Sequence, residues 1–261
     1  MSANPLAGFT PYSDLRVSLD GHVATILIAR PPHNYFDAPL LLGIASALEF
    51  LDTVDQCRAV ILTSEGKSFC AGANFTNPES PVKPREIYKS GVRIFRTAKP
   101  IVAAVNGSAI GGGFGVALAA DFRVVDATTR LVANFSKLSF HQGFGLTVTL
   151  PRVVGPQMAS LLLQTSRRIE GAEAVRIGLA DAFAEPGQLL AEARKLADEL
   201  AAAGPLGLKA IRGTLRAGLV EAIEKAVDIE ADQQEALMLT ADFAEGIKAT
   251  YERREPVFTL K

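Results

Sequence analysis

Histidine and cysteine are scarce in this chain. Its 261 residues include three histidines, His22, His33 and His141, and two cysteines, Cys57 and Cys70. Two cysteines exclude a multi-cysteine zinc site and argue against a disulfide framework. Any chemistry that uses an imidazole must draw on those three positions. An excess of charge of one sign is also lacking: 27 Lys plus Arg stand against 28 Asp plus Glu, a net charge of −1. No basic excess supports nucleic-acid binding, and no charge block suggests a tail. The start, MSANPLAGFTPYSDLRVSLD, has no basic cluster followed by an apolar run, so it does not read as a signal peptide. The uncharged run Ile101 to Ala120 raises the question of a membrane span. It contains Asn106, Ser108 and five glycines, and its apolar positions are mostly Ala and Val. That composition reads as a buried strand–turn–helix. A reducing, cytoplasmic compartment fits both cysteines remaining free.

What is present points to an α/β protein. A chain of this length forms one large domain, or one domain with an appendage, and needs no disulfide or metal staple. Residues 22–29, 58–63, 100–106 and 122–126 are apolar, β-branched runs that read as strands. Leu41, Ile44, Leu48 and Leu51 recur at helical spacing after Asp37-Ala38-Pro39, with Asp37 as a plausible cap and Pro39 in the first turn. Continuous apolar strands alternating with helices predict crossovers and mainly parallel pairing. After about residue 145 the strand signals thin out. Residues 188–203 form an amphipathic pattern that ends near Gly204-Pro205, and 206–250 are helical in pattern. The expected division is an α/β core over 1–200 and a helical region over 201–261. In that region the stripe Leu219, Ile223, Ala226, Val227 and Glu230 needs a covering surface, for which another subunit is the candidate.

Two segments carry the chemistry. Ser68-Phe69-Cys70-Ala71-Gly72-Ala73-Asn74 follows one strand. Val105 to Gly115, containing Gly111-Gly112-Gly113, follows another and leads into a helix. Small residues let backbone N–H groups approach a ligand, and a helix N-terminus presents unpaired donors. Two such donors aimed at one point form an oxyanion hole. The alternative is that the glycines only permit close packing of helix on strand. No Gly-Lys-Ser/Thr follows, so a P-loop is excluded, and no acidic ribose partner supports a dinucleotide site.

These residues resemble the crotonase (enoyl-CoA hydratase/isomerase) superfamily. The resemblance rests on Arg30-Pro31 with Asn34, Phe69 to Ala73, Val102 to Gly107, and Gly111 to Gly113. It continues through Ala120 to Arg123, Gly143-Phe144-Gly145, Leu150-Pro151-Arg152 with Gly155, Phe243 to Gly246 and Glu252-Arg253-Arg254. It covers roughly residues 13–260 and implies a spiral of ββα repeats, followed by helices that support trimerisation. The implied assembly is a homotrimer or a dimer of trimers, and the implied ligand is a coenzyme A thioester, with no metal or redox cofactor. By the same resemblance the N–H groups of Ala73 and Gly112 are the oxyanion-hole donors. Ala71, Gly72, Gly111, Gly115, Phe135 and Gly143 fall on substrate-binding stretches, with Ala71 in the adenine-binding one. Arg253 and Phe258 match C-terminal positions that in relatives lie near the CoA of their own or a neighbouring subunit, and Arg30 is a further candidate for its phosphates.

The departures from the family pattern matter more. Hydratases of this family carry one glutamate where this chain has Gly115 and a second where it has Phe135. A positioned acid or base contributes about 10²–10⁴-fold. An ordinary hydratase reaction should therefore be slowed by about 3–5 kcal/mol of barrier per lost group. His141, on a loop expected to border the acyl group, is the candidate replacement acid or base, with a packing role as the alternative. Asp37 is a second candidate beside its capping role. Glu86 and Tyr88 fall in a segment that often covers the acyl group, though a solvated helix face is the simpler reading. Gly115 is expected to leave room for an anion or a water, as in relatives that replace a glutamate with bicarbonate. Phe75, Phe135, Phe140 and Phe144 read as core or as an apolar acyl pocket. The expected function is acyl-CoA processing through a stabilised thioester enolate. The alternatives are carbon–carbon bond hydrolysis or another lyase reaction, and a non-catalytic acyl-CoA-binding protein.

Overall fold

Apolar, β-branched runs become strands here, and each is followed by a turn that carries the chain away from its sheet. The computed structural model describes residues 5–10, 12–77 and 81–261. Residues 1–4 of the start, read above as no signal peptide, lie outside the described residues. β1 (Leu15–Asp20) and β2 (Val23–Ile28) pair antiparallel around Gly21 and lead into α1 (Ala38–Asp52). Three strand–strand–helix units follow. The first is β3 (Ala59–Ser64), β4 (Ser68–Cys70) and α2 (Pro84–Gly91). The second is β5 (Ile101–Val105), β6 (Ser108–Ile110) and α3 (Gly112–Ala119). The third is β7 (Phe122–Val125), β8 (Arg130–Val132) and α4 (Leu146–Thr165). β9 (Ile169–Glu170), α5 (Gly171–Arg176) and β10 (Ala182–Phe183) complete the sheets.

The first strand of each unit joins a six-stranded sheet of order β1-β2-β3-β5-β7-β10. The second joins a four-stranded sheet of order β4-β6-β8-β9. Each unit thus adds a strand to both sheets, which is the expected spiral of ββα repeats. All pairings from β2 to β10 in the larger sheet are parallel, and β4, β6 and β8 are parallel in the smaller one. The buried strands need cover on both faces. Ala59, Ile61, Val102 and Ala104 pack under Ala193, Ala197 and Ala201 of α6 (Leu189–Ala202). Val60, Leu62, Ala103 and Val105 face the main core, which includes the apolar face of α1. The uncharged run from Ile101 resolves into β5, β6 and α3, and no helix among the described residues is long and apolar enough to cross a membrane.

The chain ends in α7 (Pro205–Leu215), α8 (Leu219–Leu237) and α9 (Ala241–Glu252). The stripe on α8 does not wait for another subunit. Leu219, Ile223, Ala226, Val227 and Glu230 are buried within this chain, where α8 packs on α2 and α4. The sequence pattern is correct about burial, but the cover is intramolecular. Arg212 and Arg216 tie α7 down through Asp121, at 3.0 and 3.1 Å, while Leu206, Ile211 and Leu215 of α7 remain exposed.

Candidate active site

Backbone approach brings the two glycine-containing segments together. β4 lies parallel to β6, with Ser68 opposite Ser108 and Cys70 opposite Ala109. Just beyond the strands the segments close further. A Cβ on Gly72 would stand 2.7 Å from the Ile110 carbonyl oxygen, and one on Gly113 would collide with the Cys70 carbonyl. Only glycine allows this spacing, since no substituted carbon fits there. Asn34 braces the arrangement. It is fully buried, accepts from the Arg30 N–H at 3.0 Å, and donates to the carbonyls of Glu65 and Ser68 at 2.7 and 2.6 Å.

Phe36 runs alongside Ala73, and its N–H donates to the Gly72 carbonyl at 2.9 Å. That pairing turns the Ala73 N–H the other way, because it shares a trans peptide with the Gly72 carbonyl and the two point in opposite directions. Gly112 opens α3, so its amide has no intrahelical acceptor. Neither the Ala73 nor the Gly112 N–H donates a hydrogen bond to another described residue. Both residues line the same cavity, of about 80 Å³, together with Ala71, Gly72, Gly111 and Phe135. Phe36, Phe75, Ile87, Leu138 and Phe140 make its remaining walls largely apolar. Phe243 of α9 stacks behind Phe75 and Phe140, at centroid distances of 5.4 and 4.6 Å.

Several expected site residues do not line this cavity. Gly115 leaves no room for an anion or a water. A Cβ there would stand 2.7 Å from Cβ and 2.9 Å from Cδ1 of Phe144, so the Phe144 ring occupies that space. Gly143 does not line the cavity either; a Cβ there would collide with the Tyr88 hydroxyl. The His141 ring does not line the cavity, and its Nδ1 lies 2.8 Å from the Gln142 carbonyl. Asp37 caps α1 by accepting from the Leu40 N–H at 2.9 Å. It also pairs with Arg30 at 3.0 Å, and Arg30 bonds Asp14 as well. Burial lowers the Arg30 pKa, but the bonds to Asp14 and Asp37 outweigh it and leave the pKa raised. In this chain the Arg30 guanidinium is engaged by both carboxylates. Arg30 and Asp37 instead line a polar recess of about 360 Å³ that shares Phe36, Val82 and Ile87 with the apolar cavity. Arg253 is the exposed C-cap of α9, and Phe258 is 40 % exposed on a tail pinned to Asp242 through Thr259 and Leu260.

Sequence reasoning missed the polar side chains of the cavity. Tyr88 was read as part of a solvated face, yet it lines the cavity and is buried, and its hydroxyl donates to Oε1 of Gln234 at 2.6 Å. Burial pushes the Tyr88 phenol well above its ordinary value, and nearby Glu230 adds to the shift. It is therefore a neutral hydrogen-bonding group and not a base. Gln234 also lines the cavity and donates to the His141 carbonyl at 2.8 Å. Asn134 is the third polar side chain of the lining. No Asp, Glu, His or Lys lines the cavity among the described residues. Cys70 is not a nucleophile, since burial pushes its thiol up to about 12. No cluster of three His, Cys, Asp or Glu among the described residues is placed to hold a metal.

A spiral of ββα units brings Ala73 and Gly112 to one largely apolar cavity. Comparison with known proteins says which family builds it. The sequence profile of the enoyl-CoA hydratase/isomerase family matches residues 19–261. The chain is 34% identical over 258 residues to a crotonyl-CoA hydratase of Syntrophomonas wolfei, an alignment covering 96% of this chain and 99% of that one. It is 29% identical to a 1,2-epoxyphenylacetyl-CoA isomerase of Escherichia coli, over 92% of this chain and 95% of that one. A crystal structure of an enoyl-CoA hydratase/isomerase from Pseudoalteromonas atlantica superposes with a TM-score of 0.85 at 30% identity, covering 95% of this chain and all of that one. The chain belongs to the enoyl-CoA hydratase/isomerase family of enzymes, within the crotonase superfamily.

Proposed function

We propose that this enzyme binds an acyl-CoA thioester and polarises its carbonyl between the amides of Ala73 and Gly112. The supporting observation is the pair of N–H donors, both without acceptors among the described residues, at one largely apolar cavity. Negative charge collects on the thioester oxygen as the α-carbon loses a substituent and an enolate forms. Preorganised donors hold that charge without reorganisation, and each is worth roughly 10²–10³-fold. The aromatic walls suit an apolar acyl group, and the polar recess beside them suits the less apolar parts of the ligand.

The same lining limits the reaction. With Gly115 under Phe144 and Phe135 in the wall, no carboxylate lines the cavity among the described residues. Hydration of a 2-enoyl-CoA then lacks about 10²–10⁴-fold from each missing acid or base. What the lining supplies is stabilisation of the enolate, the step that hydration, isomerisation and carbon–carbon cleavage share. The exposed Leu206, Ile211 and Leu215 of α7 fit association into trimers, and buried thiols fit a reducing cytoplasm.

The test is infrared spectroscopy of purified protein with butanoyl-CoA labelled with ¹³C at the thioester carbonyl. Binding should shift the C=O stretch to lower frequency, as two hydrogen bonds withdraw electron density from the double bond. Gly112→Ala, whose Cβ would drive into the Phe36 ring, should weaken both the binding and the shift. Bound ligand with an unshifted carbonyl would overturn the assignment of the two amides.

A further inference from the structure

Two of the three polar side chains in the cavity satisfy each other. Tyr88 donates to Gln234, and Gln234 donates onward to the His141 carbonyl. Asn134 differs. Its side chain makes no hydrogen bond with any described residue, although it lines the cavity and is half-buried. The backbone on both sides of it is held. The Gly111 N–H donates to the Val132 carbonyl at 2.9 Å, so the pairing of β6 with β8 holds the backbone up to the residue before last. Phe135 then begins a tight 3-10 turn over Ser136–Leu138. Gly111 has φ +55°, and a Cβ there would stand 3.0 Å from Oδ1 of Asn134. The turn carrying the Gly112 amide is thus shaped to leave space for this side-chain amide.

We propose that Asn134 is a specificity-determining residue that reads a neutral oxygen, hydroxyl or keto, on the acyl group near its thioester end. The proposal rests on the acyl-CoA reading above. The argument is about desolvation. Water serves the amide until an acyl chain fills the cavity. A hydrocarbon chain then strands it, and a polar group left without a partner in a closed site is penalised. A ligand oxygen replaces the water. The amide offers two N–H donors and one acceptor oxygen and carries no charge, so it suits a hydroxyl or a ketone better than a carboxylate. Its place beside Gly111 and Gly112 sets that oxygen on the first few carbons beyond the thioester.

Calorimetric titration with butanoyl-CoA, 3-hydroxybutanoyl-CoA and 4-hydroxybutanoyl-CoA tests this. One of the hydroxylated ligands should bind about tenfold more tightly than butanoyl-CoA, the worth of one good neutral hydrogen bond. Asn134→Ala and Asn134→Leu should each abolish that preference, and Asn134→Leu should bind butanoyl-CoA several-fold more tightly than the parent protein, because no amide is then stranded by the hydrocarbon chain. Neither variant removes a hydrogen bond from the fold, so both should melt with the parent protein. A merely structural role would lower affinity for all three ligands together. Equal affinities in the parent protein, or a preference that survives in both variants, would overturn the proposal while leaving the acyl-CoA reading intact. Failure of butanoyl-CoA itself to bind would overturn both.

Discussion

Gly115 lies inside α3, where a glycine costs roughly 1 kcal/mol of helix stability against alanine. On propensity alone Gly115→Ala should stabilise the protein. The structure predicts the opposite sign. The added methyl would meet Phe144 at 2.7 Å from Cβ, 2.9 Å from Cδ1 and 3.0 Å from Cγ. Those atoms sit at the root of the side chain and cannot swing aside by a rotation at its far end. Overpacking of this kind costs about 1–3 kcal/mol, so the net change should be a loss of about 0–2 kcal/mol. Phe144→Gly removes the obstacle and leaves a backbone at φ +60°, which glycine adopts readily. That variant is destabilised in its own right by a cavity, at about 3–5 kcal/mol. In its background, however, Gly115→Ala should become stabilising by about 1 kcal/mol. The reversal of sign between the two backgrounds is the measurement, read from guanidinium unfolding midpoints of the four proteins in the double-mutant cycle. Gly115→Ala that stabilises the parent protein by the full propensity value would refute the reasoning. So would additivity across the cycle. The consequence for catalysis is direct: a carboxylate introduced at position 115 alone should not restore hydration, because the space it needs belongs to Phe144.

Asp37→Ala should lower stability by about 0.5–2 kcal/mol through loss of the α1 cap, and His141→Ala should leave turnover within about twofold, since its ring lies outside the cavity. A tenfold or larger loss of kcat with either variant at preserved fold would put that residue back into the mechanism. Glu230 is fully buried and holds the start of α4 by accepting from the N–H groups of Gly145 and Thr147, at 2.8 and 3.1 Å, and from the Thr147 hydroxyl at 2.6 Å. Burial nevertheless raises its pKa above the ordinary 4.5. The folded state therefore holds this proton more tightly than the unfolded state, and its contribution to stability is full below about pH 4.5 and is lost as pH rises through the folded pKa. Relative to Glu230→Gln, the parent protein should lose stability from pH 4.5 to pH 8 in thermal melts; a difference that does not change with pH would contradict the shift.

The sequence by itself determined four of the long strands, and its resemblance to a known family implied the ββα spiral. Apolar β-branched runs and turn glycines act through neighbours a few positions away, so they are legible one window at a time. Residues 100–106 became β5, and 188–203 became α6. The short strands β4, β6 and β8 were not legible as strands, because three residues carry too little periodicity and their partners are remote. The motif glycines marked where two backbones meet, and Gly72 and Gly113 meet there for the steric reason the motif suggests. Only the tertiary structure decided what lines the cavity. The Tyr88–Gln234 hydrogen bond spans 146 positions, and no local pattern couples a residue of α2 to one of α8. Likewise, Gly115 reads in sequence as empty space and in the fold as the seat of an aromatic ring. A glycine in sequence shows only that a side chain is missing; what fills its place is decided by the packing of other elements around it.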